Sequence, residues 1–184
     1  MTHQTSEAGF LQSYRICAAS DPWMQAGAAA LRAQVFVQEQ GVFAGHDRDA
    51  IDAVALPLVA IAEDATDGPR VVGTVRIHQP EPGIWWGSRL AVAPDWRRVG
   101  KLGSELIRLA VGTARARGAV EFHAHVQRQN VPLFRRLHWT MTAEVDLHGR
   151  PHAHMLADLV HYAPIPDPAT GWQVRAPGPV ENGA

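Results

Sequence analysis

Cysteine is almost absent from this chain of 184 residues: Cys17 stands alone, so neither an internal disulfide nor a multi-cysteine metal site can form. An excess of charge of either sign is missing too. The formal net charge is −1, which removes the electrostatic footprint of a nucleic-acid binder and leaves any basic patch local. No uninterrupted apolar run is long enough to span a bilayer, and the opening "MTHQTSEAGFLQS" lacks the basic region and apolar run of a secretory signal. The expectation is a protein of the cytoplasm, without membrane or nucleic-acid partners. No internal repeat is found. What is there is a globular composition, 46% hydrophobic and 19% charged, at the length of one domain with a real core.

The periodic part runs over residues 13–162. Residues 1–12 are polar and 163–184 are rich in proline and glycine, so both are expected as flexible termini, with Trp172 the single candidate anchor of the second. "SYRICAA" reads as a strand. "DPWMQAGAAALRAQVFVQEQ" reads as a helix with Asp21 as cap, Pro22 at its first position and apolar residues recurring through Leu31, Val35 and Phe36. "LPLVAIAED" and "RVVGTVRIH" form a hairpin through "DGPR", and "IWWGSRLAVAP" is a strand stopped by Pro94. "GSELIRLAVGTARARG" is an amphipathic helix with Leu106, Leu109, Ala110 and Thr113 inward and Gly118 at its end. "VEFHAHV" is a strand and "NVPLFRRL" a short helix capped by Asn130; "MTAEVDLH" and "HAHMLADLV" close the sheet around "GRP". The order β-α-β-β-β-α-β-α-β-β predicts an α/β fold with a mixed, mostly antiparallel sheet. The helix from Gly103 crosses between two parallel neighbours.

The chemistry concentrates in "VAPDWRRVGKLGSELIRLA", residues 92–110, where a basic glycine-bearing loop enters that helix. A helix N-terminus carries unpaired N–H donors and a partial positive charge. Gly100 and Gly103 let backbone approach a ligand, and Arg97, Arg98 and Lys101 add charge-assisted donors, an arrangement suited to a pyrophosphate. A basic turn that binds nothing would look the same. No Gly-Lys-Ser/Thr closes the loop, so it is not a Walker A sequence, and it lacks the glycine spacing of a dinucleotide fingerprint.

"LAVAPDWRRVGKLGSELI" resembles the signature of the GNAT superfamily of acyl-CoA-dependent N-acyltransferases, and the resemblance covers most of residues 13–162. It aligns Arg97 and Gly100 with the family's first Arg and Gly; Gly103 comes one residue late, leaving Leu102 where Gly or Ala is usual. The resemblance implies acetyl-CoA as co-substrate, held by Leu90, Ala91, Val92, Arg97, Arg98, Val99, Gly100, Lys101, Leu102, Gly103 and Ser104, with the Val92 N–H as an oxyanion-type donor. "NVPLFRRLHW" resembles the family's Asn-led helix, which implies Asn130 and Phe134 beside the pantetheine arm. Phe134 stands where a tyrosine acid is usual and His138 where a glycine is usual, so the tyrosine mechanism does not carry over. A thiolate leaving group with a pKa near ~8.5, by analogy with cysteine, makes that acid dispensable. More narrowly, "RAQVFVQEQGVF", "RLAVAP", "QNVPLFRRLHW" and "LHGRPHAHMLADL" together resemble the nitrogen-starvation N-acetyltransferases found beside nitrilase genes. The implied partners are acetyl-CoA and a small amine, with a homodimer admitted.

Two residues are candidates for the base. Glu39, at the end of the first helix, resembles an acceptor-side position, and His152 in "GRPH" has a neutral-range pKa; a solvated carboxylate and a turn histidine are the plain alternatives. His123 and His125 share a strand face, as do His152 and His154, but no carboxylate or cysteine completes a known metal motif, so no metal is expected. Asp47, Asp49 and Asp52 lack the rest of a calcium loop and are read as orienting their loop or contacting a cationic acceptor. Trp85 and Trp86 point to opposite faces, one to the core and one to the acceptor side. Two further functions compete with N-acetyl transfer. "LRAQVFVQEQ" and "VVGTVRI" loosely resemble acyl-homoserine-lactone synthases, and the missing tyrosine suits a non-catalytic acyl-CoA sensor.

Overall fold

The structure, a computed structural model, describes residues 11–63, 67–99 and 101–177. One eight-stranded sheet of order β6-β7-β5-β4-β3-β2-β1-β8 organises the chain. Its strands are β1 (Leu11–Ala18), β2 (Leu56–Ala62), β3 (Arg70–Glu81), β4 (Ile84–Val92), β5 (Glu121–Gln127), β6 (Trp139–Leu147), β7 (Arg150–Ala157) and β8 (Trp172–Pro177). The helices are α1 (Pro22–Arg32), α2 (Leu102–Ala116) and α3 (Val131–Arg136). All neighbours are antiparallel except β4 and β5. That pair is the one joined by a helical crossover, α2, because parallel neighbours cannot be linked by a tight turn. The expected α/β fold with a mostly antiparallel sheet is the observed one. No helix among the described residues is long and apolar enough to cross a membrane.

The core sits between the sheet and α2. Leu106, Leu109, Ala110 and Thr113 are buried as the helical period predicts, and so are Leu102, Ile107, Val111, Gly112 and Ala114. The buried face is wider than an ordinary amphipathic stripe because the chain returns over α2: Ile165 N–H donates to the Gly112 carbonyl at 2.9 Å. A Cβ on Gly112 would lie 2.7 Å from the Ala163 carbonyl oxygen, backbone that cannot swing aside, so the crossing favours glycine.

That returning segment corrects the reading of 163–184 as a flexible terminus. β8 pairs with β1 from Leu11↔Pro177 to Ile16↔Trp172. Trp172 Nε1 donates to Glu105 at 2.7 Å, and the Arg108 guanidinium lies 4.5 Å over its ring. The segment lacks an apolar period because an edge strand needs only one covered face and a backbone partner. Residues 1–10 and 178–184, the remainder of the two expected termini, lie outside the described residues.

Smaller corrections concern caps and turns. Asp21 and Asn130 occupy the N-cap positions of α1 and α3, yet neither side chain makes a capping hydrogen bond. The turn read at "GRP" is the two-residue turn His148–Gly149, with φ of 53° and 70°, the primed geometry that matches strand twist. The first helix does run to the expected end, but Ala33–Glu39 winds as a π-helix.

Candidate functional site

The two parallel strands stay together only from Ile84↔Glu121 to Gly87↔Ala124. Beyond that point β4 carries a bulge: its register against β3 jumps from Thr74↔Ala91 to Arg76↔Ser88, and Arg89 takes a φ of 56°. A bulge bends its strand, and here the bend accompanies the parting of β4 from β5. A cavity of about 670 Å³ opens in the gap. Because β5 alternates, the cavity meets both faces of the sheet. Phe122 and Val126 line it beside Ile107 and Phe134, while His125 and Gln127 line it beside Trp86 and His152.

Val92 sits where β4 has lost its neighbour. Ala93 N–H donates to the Val72 carbonyl at 2.8 Å, so the ladder alternation turns the Val92 N–H and C=O away from β3, toward the gap. The Val92 carbonyl is taken by Arg97 Nε at 3.1 Å. Leu90 lines the cavity, whereas Ala91 is buried in the core.

The loop into α2 divides by burial. Val99 and Leu102 are core residues, so only their backbone is available to a ligand. Leu102 fits where a small residue is usual because it docks on a glycine: a Cβ on Gly73 would lie 2.5 Å from Leu102 Cδ2. Lys101 holds the N-cap position in the left-handed region at φ 67°, and its side chain caps nothing. The first-turn N–H groups therefore face outward without an intrahelical acceptor. Arg98 and Lys101 are exposed, and Gly103 has open space where a Cβ would be. Gly100 lies outside the described residues. This set of donors fits a pyrophosphate.

Arg97 is committed elsewhere. Its guanidinium contacts Glu39 at 2.7 and 2.8 Å, joining the end of the first helix to the loop. Hydrogen bonding from Arg97 holds the Glu39 carboxyl below its ordinary range. The structure thus brings Glu39 to the basic loop and not to the cavity wall. His152 does line the cavity, and its Nδ1 lies 2.9 Å from the Arg150 carbonyl. A carbonyl only accepts, so Nδ1 donates to it, and in the neutral ring Nε2 is the nitrogen with the lone pair. Asn130 and Phe134 also line the cavity; Phe134 packs edge-on against Trp139 at 5.0 Å and offers no hydroxyl.

Of the paired tryptophans, Trp85 is core and Trp86 is the cavity wall. His123, His125 and His154 gather round Trp86 with ring centroids 4.8–5.3 Å away. His123 bridges Glu121 at 2.8 Å and His154 at 3.1 Å. Burial, reinforced by the neighbouring histidines, lowers the pKa of His125 and of His154.

Reading the three aspartates as contacts for a cationic acceptor is corrected by a network that loop periodicity did not reveal. Arg32 binds Asp47 at 2.6 Å and Asp52 at 2.6 Å; Arg76 binds Asp49 at 2.7 and 2.8 Å; Arg89 reaches Asp47 at 3.1 Å and Asp49 at 3.2 Å. The aspartates orient the loop. A signal did exist in the sequence: Arg32 lies four residues from both Ala28 and Phe36, a charge on the apolar face of its helix.

The model of the acetyltransferase (GNAT) family matches residues 23–139. The chain belongs to this family. Membership makes it an acyl-CoA-dependent acyltransferase. No curated protein matches its sequence. Among solved structures, a Lactobacillus plantarum protein assigned as an N-acetyltransferase is similar at 24% identity and TM-score 0.69, over 79% of this chain and 98% of that one. An acyl-CoA N-acyltransferase from Pseudomonas aeruginosa is similar at 18% identity and TM-score 0.59, over 78% and 98%. The CoA-dependent acyl-homoserine lactone synthase BjaI is similar at 19% identity and TM-score 0.65, over 79% and 83%. At these identities the likeness is one of fold.

Proposed function

We propose that this acyltransferase moves an acetyl group from acetyl-CoA to the amine of a small molecule by direct attack. The observation that carries the reading is the cavity in the β4–β5 gap, approached by outward backbone at Val92 and walled by His152. Acetyl-CoA supplies an activated acyl group, and its diphosphate suits the α2 N-terminus with Arg98 and Lys101. Val92 N–H is proposed to stabilise negative charge on the carbonyl oxygen. His152 Nε2 is proposed to take the amine proton. Glu39, the other candidate base, is neutralised by Arg97 and stands off the cavity wall. Phe134 supplies no acid, so the thiolate leaves unassisted by that position.

A thiol-release screen with acetyl-CoA against amines, amino acids and polyamines tests this, and coenzyme A binding without turnover of any member would sink it. The competing synthase reading separates by donor for a synthase of the carrier-protein kind, and by acceptor for a CoA-dependent one, which would turn over with S-adenosylmethionine and with none of the simple amines. The motif resemblance extends the proposal to a cytoplasmic role in nitrogen metabolism. An expression level unmoved by nitrogen limitation would count against that extension.

A further inference from the structure

Four charged residues line the cavity: Asp49, Arg48, Arg76 and Arg89. Asp49 has no oxygen to spare. Its Oδ1 accepts from Arg76 at 2.7 Å and from Ile51 N–H at 3.0 Å, and its Oδ2 accepts from Arg76 at 2.8 Å and Arg89 at 3.2 Å. A cationic substituent on an incoming molecule would meet no available counter-charge there. Arg76 and Arg89 are engaged in turn by Asp47, Asp49 and Asp52.

Arg48 differs from both. Among the described residues it makes no hydrogen bond and no ion pair. It stands between Asp47 and Asp49, whose carboxylates are clamped, so its backbone is held while its guanidinium stays available. Arg32, Arg48, Arg76 and Arg89 face three aspartates, which leaves one positive charge uncompensated, and Arg48 carries it. The lining also carries apolar and aromatic side chains, Val42, Phe43, Trp86 and Leu147, beside polar ones such as Gln40, Gln127 and His148.

We propose that the acceptor is an amine that also bears a carboxylate and an apolar or aromatic body, an amino-acid-like molecule whose carboxylate is bound by Arg48. This rests on the amine-acetylation reading above. A guanidinium suits the task because its planar fork matches both carboxylate oxygens. Polyamines fit poorly, since every added ammonium group would face the unpaired guanidinium.

The test has a turnover arm and a binding arm. With saturating acetyl-CoA, phenylalanine is compared with phenethylamine and leucine with 3-methylbutylamine by thiol release. The carboxylate-bearing member is expected to lead in kcat/KM by ~10–150-fold, the span of one charge-assisted contact. Arg48→Gln should collapse that ratio, Arg48→Lys should restore part of it, and Arg48→Glu should invert it. Arg48 is exposed and unpaired, so these variants are expected to melt like the parent. In the binding arm, N-acetylphenylalanine and N-acetylphenethylamine are titrated into the coenzyme A complex by calorimetry. The former should bind more tightly, and only in the presence of Arg48 or Lys at that position. Equal binding of the two products, a parental preference for the bare amines, or a preference that survives Arg48→Gln overturns the inference. Because the binding arm needs no turnover, a protein that holds N-acetylphenylalanine through Arg48 yet acetylates nothing keeps the anion site and loses the proposed function instead.

Discussion

At His152 the contact between Nδ1 and the Arg150 carbonyl leaves one ring nitrogen able to accept a proton. His152→Asn removes that nitrogen, and turnover should fall ~10²–10⁴-fold with coenzyme A affinity unchanged by calorimetry. Glu39→Gln should keep the parental pH–rate profile, since its carboxylate is bound to Arg97. If both variants keep parental rates, neither residue is the base and a water chain serves. Titration also shapes stability. Burial and neighbouring histidines depress His125 and His154, so their contribution is full above the unfolded pKa of ~6.5 and is lost as pH falls through the lower folded values. Asp49 is held low by hydrogen bonds from Arg76. Burial pushes Asp52 up, but hydrogen bonds from Arg32, the Asp49 backbone and Arg76 outweigh it. Their contribution is full above ~3.9 and is lost below it. Urea unfolding across pH should show a shallow decline beginning near ~6.5 and a steeper one below ~4. His125→Gln with His154→Gln should flatten the first decline alone; an undiminished decline would remove these histidines from the account.

The element that matters most for binding is the N-terminus of α2. Leu102 and Leu106 anchor it on β3 around Gly73, and Lys101 enters in the left-handed region, so the first-turn donors face outward from a fixed base. Gly103 has room for a side chain, which makes it a clean probe of charge. Gly103→Asp places a carboxylate among the donors and Arg98→Ala deletes one. Each should weaken coenzyme A binding by about 1.5–3 kcal/mol while the melting temperature stays within a few degrees. Unchanged affinity in both variants would overturn the proposed cofactor site.

Across the whole molecule, β8 and the segment before it close the side of the sheet away from β6. Ile165 covers Gly112 on α2, Trp172 spans Glu105 and Arg108, and Pro168 accepts from Ala18 N–H at 2.7 Å. Deleting residues from 163 onward would lift two half-buried large side chains, Ile165 and Trp172, off the core and leave β1 as a bare edge. Full burial of such a side chain is worth about 1.5–3 kcal/mol and half-burial less, so Tm should drop by several degrees. Gly171→Ala is a gentler version: φ is +57° and a Cβ would lie 1.8 Å from the Ile16 carbonyl oxygen, so a loss of more than ~1 kcal/mol is expected. Parental melting of the truncated chain would mean that this segment adds nothing to the fold.

Local physics in the chain was enough for the order of elements from β1 to β7 and the strand–loop–helix at residues 92–110. Helical and strand periods are properties of neighbours in sequence, and a Pro-stopped strand leading to a basic, glycine-bearing helix start is a local pattern. Trp85 and Trp86 could be assigned to opposite faces from alternation alone, but which face holds the cavity depends on where β4 leaves β5. Glu39 met Arg97, and three arginines met three aspartates, across separations of up to 58 residues. No periodicity encodes such meetings, because the sheet order that brings these side chains together is decided by the packing of all strands at once. β8 was illegible for the same reason. An edge strand draws its stability from the backbone of β1 and from α2 beneath it, so its own sequence needs no strand period, and only the assembled sheet shows that the segment belongs to the fold.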